Sequence, residues 1–295
     1  MPEVRRVAFV GLGQMGLPMA GHLVKGGFEV TGFDLSNEAK SSFQASGGRV
    51  ASSIAEALTD AHCIITMLPN GKIVQSAVAD GEAFKTAPKG ALLLEMSSSA
   101  PIETRELAAI VGNHLRVVDA PVSGGVKRAV AGTLTVMAGG DAADLDRAEP
   151  VLMAMASTVF RCGAVGAGHA MKAINNYVSG AGVIAASEGV QLGVAFGLEA
   201  ETVVDVLNAS SGKNNASEVK MKQFILNGAF ASGFALGLMA KDIRIAARLS
   251  TELGLRQAGL KLTADIWDNA TQAIGGSVDH TRLFEYLARQ ADDSE

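Results

Sequence analysis

The stretch from Arg6 to Asp34 constrains this chain more than any other. Arg6-Val7-Ala8-Phe9-Val10 is short, apolar and partly β-branched, the pattern of a buried strand. Gly11-Leu12-Gly13-Gln14-Met15-Gly16 follows at once, and a helical pattern then runs to Lys25, where Gly26-Gly27 stops it. Phe28-Glu29-Val30-Thr31-Gly32-Phe33 reads as the next strand and ends at Asp34. Strand, glycine turn, helix, strand and acid make one βαβ unit of about 30 residues. In G-x-G-x-x-G the first Gly serves the tight turn, the second lets a pyrophosphate reach the backbone, and the third seats helix against strand. The helix start offers N–H groups and the positive end of its dipole to phosphate, so Gly11, Gly13, Gln14, Met15 and Gly16 form the expected phosphate turn. In a chain with 34 glycines the motif alone is weak; its place at the first βα turn, with an acid following at the expected interval, gives it weight. The alternative is a glycine turn that binds nothing.

Asp34 bears on which dinucleotide binds. A carboxylate there accepts from ribose hydroxyls and repels a 2′-phosphate, and Asp34-Leu35-Ser36-Asn37-Glu38 offers no cation, so NAD is favoured over NADP. The alternative is an exposed Asp capping the next helix.

The alternation continues. Strands are expected at 63–68, 91–96, 116–120, 133–140 and 157–161, and helices at 37–46, 52–58, 71–79, 102–112 and 141–155. Pro121-Val122-Ser123-Gly124-Gly125 reads as a loop. After Gly168 no convincing strand appears; helical patterns cover 170–195, 199–209, 216–227, 234–253, 258–273 and 280–290. The expected fold class is therefore α/β: a doubly wound, Rossmann-type dinucleotide domain over residues 1–164, then an all-α domain over 165–295, joined by a long interdomain helix.

A formal charge of −5 argues against a general nucleic-acid surface. Two Cys, in no CxxC pair, give no disulfide framework and point to a cytoplasmic protein. The five His show no metal spacing, so no metal is expected. The apolar stretch near the start is too short for a signal peptide and runs into the glycine turn. No run of about 18 apolar residues is found, so no membrane span is expected.

On the long helix Lys172, Asn175 and Asn176 stand at i, i+3 and i+4, with Ser179 one turn on, so they share a face. A Lys beside two amides on a largely apolar helix suits proton transfer, since desolvation lowers its pKa. A snorkelling Lys with solvated Asn residues remains open on the pattern alone.

The glycine turn, Asp119-Ala120-Pro121-Val122-Ser123-Gly124-Gly125, the spacing of Gly168, Lys172, Asn175 and Asn176, and Lys241-Asp242 together resemble the β-hydroxyacid dehydrogenase family, which includes 3-hydroxyisobutyrate dehydrogenase and tartronate semialdehyde reductase. The resemblance runs from Val7 to about Leu287 with the motifs in order. It implies NAD-dependent oxidation of a small 3-hydroxy acid to its semialdehyde, or the reverse. It makes Lys172 the general acid and base, with Asn176, helped by Asn175, orienting it and the substrate. It gives the substrate carboxylate to Ser123, Gly124 and Gly125. Met67, Leu68 and Pro69 would line the cofactor groove, Ser98 would lie by the nicotinamide ribose, and Lys241 would reach cofactor or substrate.

Arg128 stands where relatives often carry Gly, and Ser210-Ser211-Gly212-Lys213-Asn214-Asn215 lacks an aromatic near Asn215. Arg128 or Lys213 is therefore expected to add charge for a more polar or longer acid, unless each is a solvated surface cation. Gly180, Gly182, Gly189 and Gly193 on the long helix point to close packing, within the α domain or against a second subunit, and a homodimer or homotetramer is expected. Competing readings are an imine reductase, which would lack the helix Lys, a reductase of polar or dicarboxylic semialdehydes, and a non-catalytic dinucleotide-binding module.

Overall fold

The computed structural model describes residues 4–292, with side chains to Arg289. The chain divides into two compact units, one ending at Lys172 and one starting at Ala173. The division falls inside the long helix. The reason is local: the backbone N–H groups of Gly166 and His169 donate to the Asp119 carboxylate, which fixes the helix start to the sheet.

The described residues of the first unit form a nine-stranded sheet. Its strands are β1 (Arg6–Val10), β2 (Glu29–Phe33), β3 (Arg49–Val50), β4 (Cys63–Thr66), β5 (Ala91–Glu95), β6 (Leu115–Asp119), β7 (Val122–Ser123), β8 (Leu134–Gly139) and β9 (Ala156–Gly163). The order is β3-β2-β1-β4-β5-β6-β8-β7, with β9 beside β8. Pairing is parallel from β3 through β6, and β8 runs antiparallel to β6 and β7. Both faces are covered, so successive residues serve different cores. Val7, Phe9, Ile65, Leu92 and Leu94 pack on one side, and Ala8, Val10, Ile64 and Leu93 on the other. That is why these strands read as unbroken apolar runs.

Strand order reverses at β1, which lies between β2 and β4. Ligands of open α/β sheets bind outside the carboxyl ends of the strands at such a switch point. Gly11 follows β1, Asp34 follows β2, Met67 follows β4 and Ser97 lies just past β5, so these residues share one edge of the sheet.

Four short elements differ from expectation. Val122–Ser123 is a strand, paired with Val136 and Thr135, and Gly125–Ala131 is a helix. Gly124 (φ +125°) and Gly125 (φ +63°) make the bend between them, a conformation that apolar periodicity does not reveal. The two-residue β3 and the 3₁₀ segment Asp80–Thr86 are too short to leave a pattern.

The second unit is helical: Ala200–Ala209, Ala216–Ile225, Leu236–Glu252, Ala258–Ile274 and Leu283–Asp292, with the greater part of the long helix Ala167–Phe196. Its core centres on Trp267, with Val183, Leu236, Ile243 and Leu283. Ala216–Ile225 is a π-helix: its buried residues Ala216, Ser217, Lys220, Met221 and Ile225 recur every four to five positions, which suits the wider turn. A single antiparallel bridge joins Ala235 to Asp279. The long helix is long enough to cross a membrane, and its best 18-residue window has a mean hydropathy of 1.2. Polar residues, from Lys172 and Asn175 to Glu188 and Gln191, interrupt its apolar run. It is a core helix of this unit: Val183, Ala186 and Val190 are buried, and Trp267 Nε1 donates to the Gly180 carbonyl. A Cβ on Gly180 would stand 2.5 Å from Ile243, and one on Gly193 2.6 Å from Val203, so these two glycines serve packing within the unit.

Candidate active site

The three motif glycines divide their work in space. A Cβ on Gly11 would lie 2.3 Å from the Met67 carbonyl oxygen, and the residue holds φ +101°. A Cβ on Gly16 would lie 1.9 Å from the Gly11 carbonyl oxygen and 3.1 Å from the Phe9 ring. A Cβ on Gly13 would meet nothing within 4 Å. The first and third glycines therefore close the fold, and the second leaves open floor above the turn. The helix Gly16–Lys25 starts without a side-chain cap, since Met15 has no acceptor to offer, which suits an external anion at its N–H groups.

Asp34 is not the cap of the next helix. Ser36 is: its Oγ accepts from Ala39 N–H at 3.2 Å. The Asp34 carboxylate instead accepts from Leu12 N–H inside the glycine turn (2.7 Å) and from Ser36 N–H (2.8 Å). One acid thereby ties the turn after β1 to the end of β2 and stays half-exposed, with acceptor capacity left for ribose hydroxyls. The open floor at Gly13, the uncapped helix and the half-exposed acid fit a dinucleotide.

Met67 and Leu68 are half-buried and Pro69 is exposed. Leu68 N–H donates to Ser97 Oγ at 2.9 Å, so Ser97 anchors this loop, while Ser98 beside it is half-buried. Ser97 belongs to a buried network that sequence reasoning missed. His169 Nε2 lies 2.8 Å from Glu95 Oε2 and 3.0 Å from the Ser97 carbonyl oxygen; its Nδ1 lies 2.8 Å from Thr104 Oγ1 and 3.5 Å from Asp119 Oδ2. Burial opposes charge on His169, but Glu95, Asp119 and the Ser97 carbonyl outweigh it and hold the pKa above its ordinary value. Burial likewise opposes charge on Glu95, yet the His169 cation and hydrogen bonds hold its pKa low. Burial raises that of Asp119 against the pull of His169 and two backbone N–H donors. The cluster fastens the carboxyl ends of β5 and β6 to the first turn of the long helix. The Asp119 motif is the one sequence signal for this network; His169 carries none, since the five histidines show no shared spacing. Among the described residues no group of three or more His, Cys, Asp or Glu is placed to hold a metal ion.

One turn along from His169, Lys172 Nζ donates to the Val122 carbonyl oxygen at 2.9 Å. This sets the ammonium at β7, next to Ser123-Gly124-Gly125. Arg128 is exposed and lays its stem over Gly124, where a Cβ would come within 2.4 Å of Arg128 Cδ.

In the second unit Asn175 Nδ2 donates to Asn176 Oδ1 (3.1 Å), and Asn176 Nδ2 donates to Asp242 Oδ2 (2.6 Å). Buried Asp242 therefore fixes Asn176, and Lys241 Nζ lies 3.6 Å from the other Asp242 oxygen. Lys213 is paired with Glu218 at 2.7 Å in the open.

Residues 6–164 match the family model for the NAD binding domain of 6-phosphogluconate dehydrogenase, and residues 166–287 that for the NAD-binding of NADP-dependent 3-hydroxyisobutyrate dehydrogenase. The chain is 36% identical over 254 residues to 2-(hydroxymethyl)glutarate dehydrogenase of Eubacterium barkeri, covering 85% of this chain and 84% of that one. It is 39% identical over 252 residues to NAD-dependent L-serine dehydrogenase of Pseudomonas aeruginosa, covering 82% and 84%. The solved structure of Mycobacterium tuberculosis 3-hydroxyisobutyrate dehydrogenase with L-serine superposes with a TM-score of 0.90 at 34% identity, covering 96% of this chain and 99% of that one.

Proposed function

Since the chain belongs to the β-hydroxyacid dehydrogenase family and is an NAD-dependent hydroxy-acid dehydrogenase, we propose that it oxidises a small 3-hydroxy acid to its semialdehyde, or runs the reverse reduction, with Lys172 as general base and acid. The observation that carries this reading is the Lys172 hydrogen bond to Val122, which holds the ammonium beside Ser123-Gly124-Gly125. In oxidation Lys172 takes the hydroxyl proton as the carbinol carbon becomes a carbonyl, and in reduction it returns that proton. Ser123 Oγ and the backbone N–H groups of Gly124 and Gly125 bind the substrate carboxylate. Asn176, held by Asp242, orients the substrate with Asn175, and Lys241 contributes positive charge.

When bound, NAD supplies the two-electron acceptor at its nicotinamide. Gly11, Gly13, Gln14, Met15 and Gly16 hold its pyrophosphate and Asp34 its adenosine ribose. Met67, Leu68 and Pro69 line its groove, and Ser98 lies by the nicotinamide ribose. Asp34 selects NAD over NADP by charge.

The dinucleotide domain is assigned to residues 1–164 and the all-α domain to 165–295, whose outer limits lie outside the described residues. We place the enzyme in the cytoplasm, where its two unpaired thiols, Cys63 and Cys162, stay reduced. Ile174, Val178, Leu192 and Phe196 are exposed at helical spacing on the long helix, and we assign that face to contact with a second copy in a homodimer or homotetramer. Light scattering on the eluted protein tests this, and a monomer at micromolar concentration would remove it.

The test of function is NADH formation on a panel of 3-hydroxy acids: 3-hydroxyisobutyrate, L-serine, glycerate, L-threonate and 2-(hydroxymethyl)glutarate. One acid is expected to dominate. Lys172→Ala is expected to lower its kcat by about 10²–10⁴-fold, the usual contribution of a positioned acid–base group. A Lys172→Ala enzyme with undiminished kcat would refute the role.

A further inference from the structure

The second unit buries a cation that the reaction above does not use. Lys220, in the π-helix Ala216–Ile225, is 8% exposed. Among the described residues its three N–H donors meet one acceptor, Ser179 Oγ, at a long 3.4 Å. The nearest source of negative charge is Asp279, which acts on it from beyond ion-pair distance. The Asp279 carboxylate is itself engaged by the Ser232 hydroxyl, the Gly233 N–H, and the N–H and hydroxyl of Thr281. His280, the other ionisable neighbour, gives no compensation. Its Nδ1 lies at Ser232 Oγ and the Phe234 carbonyl, and burial followed by the Lys220 charge pulls its pKa down to about 4. A buried ammonium without a counter-ion weakens a fold, so its presence points to an anion the chain does not itself provide.

Its position says which anion. Ser179 stands one turn beyond Asn175 and Asn176 on the same face of the long helix, and neighbours on such a face are about 5–6 Å apart. Lys220 donates to Ser179 and thus extends the polar face that carries the two amides. The cations marked in the sequence are differently placed: Lys213 is satisfied by Glu218 and Arg128 is exposed. Burial draws the Lys220 pKa down to about 8, which leaves it charged at neutral pH.

We propose that Lys220, with Ser179, receives a second acidic group of the substrate, so that the preferred class is a dianionic 3-hydroxy acid carrying a carboxylate or sulfonate at the far end of its side chain. This rests on the chain being a 3-hydroxy-acid dehydrogenase.

The test compares 2-(hydroxymethyl)glutarate with 3-hydroxyisobutyrate, at saturating NAD, in wild type, Lys220→Met and Lys220→Arg. The wild type is expected to favour the dianion, and Lys220→Met to lower the ratio of the two kcat/KM values at least about ten-fold, through KM of the dianion. Lys220→Arg is expected to keep most of the ratio. An unchanged ratio in Lys220→Met overturns the proposal. A readout without turnover accompanies it: protection of the NAD-loaded protein against thermal unfolding by glutarate, compared with butyrate. Stronger protection by glutarate, in wild type and in Lys220→Arg, supports the anion position even where Lys220→Met fails to fold; equal protection overturns it. If glutarate protects while no hydroxy acid is oxidised, the dehydrogenase reading fails and the anion position stands.

Discussion

Two substitutions in one motif are expected to part stability from cofactor binding. In Gly16→Ala the new Cβ starts 1.9 Å from the Gly11 carbonyl oxygen, and real Cβ contacts stay beyond 3.0 Å, so backbone must move by more than 1 Å. Overpacking of that kind costs typically ~1–3 kcal/mol, occasionally more. A loss of about 3 kcal/mol lowers the unfolding temperature of a unit this size by roughly 6–12 °C. In Gly13→Ala the Cβ meets nothing within 4 Å and no left-handed φ is involved. Its melting temperature is expected to stay level or rise slightly, because Ala narrows the unfolded ensemble by about 0.4–1 kcal/mol. Its methyl group would stand on the floor that the proposed cradle gives to the pyrophosphate. The loss of one hydrogen bond to a charged group, about 1.5–3 kcal/mol, weakens NAD roughly 10–150-fold. Calorimetric NAD titrations and thermal melts on both variants decide the matter. A Gly13→Ala protein that melts normally and binds NAD like the wild type would refute the cradle, and a Gly16→Ala protein that melts like the wild type would refute the steric argument.

The charge on buried His169 makes stability depend on pH. His169 is held above its ordinary 6.5, so its contribution is complete below that pH and is lost as pH rises through its folded value. His169→Gln is expected to cost about 3–5 kcal/mol at slightly acid pH, the effect of breaking a buried pair, and the deficit shrinks in alkaline denaturant melts. A pH-independent deficit contradicts the charge assignment. Asp242→Ala removes the 2.6 Å acceptor of Asn176 and is expected to lower kcat with little change in NAD affinity; equal loss of both in steady-state and binding assays argues against an orienting role. Arg128 is an exposed cation, so Arg128→Ala is expected to leave the ranking of acids in the rate panel unaltered, and a changed ranking gives Arg128 a part in substrate selection.

What the sequence determined by itself was local. The βαβ unit, the glycine spacing, Asp34 and the shared helix face of Lys172 and Asn176 all lie within short windows, where the strand and helix periods are legible. The strands were readable because both faces of the sheet are buried, which leaves unbroken apolar runs. Partnership across the chain was not readable. Glu95, Asp119 and His169 look like two strand-end acids and an isolated histidine until strand order sets the acids on neighbouring strands and the helix start brings the imidazole to both. Asp242 looked like half of a motif until it met Asn176, and Lys220 like any helix lysine until burial removed its solvent. Charge pairing and desolvation depend on distances through space, which residue spacing along the chain does not encode, so tertiary structure alone decided which polar groups are satisfied and which still need a partner.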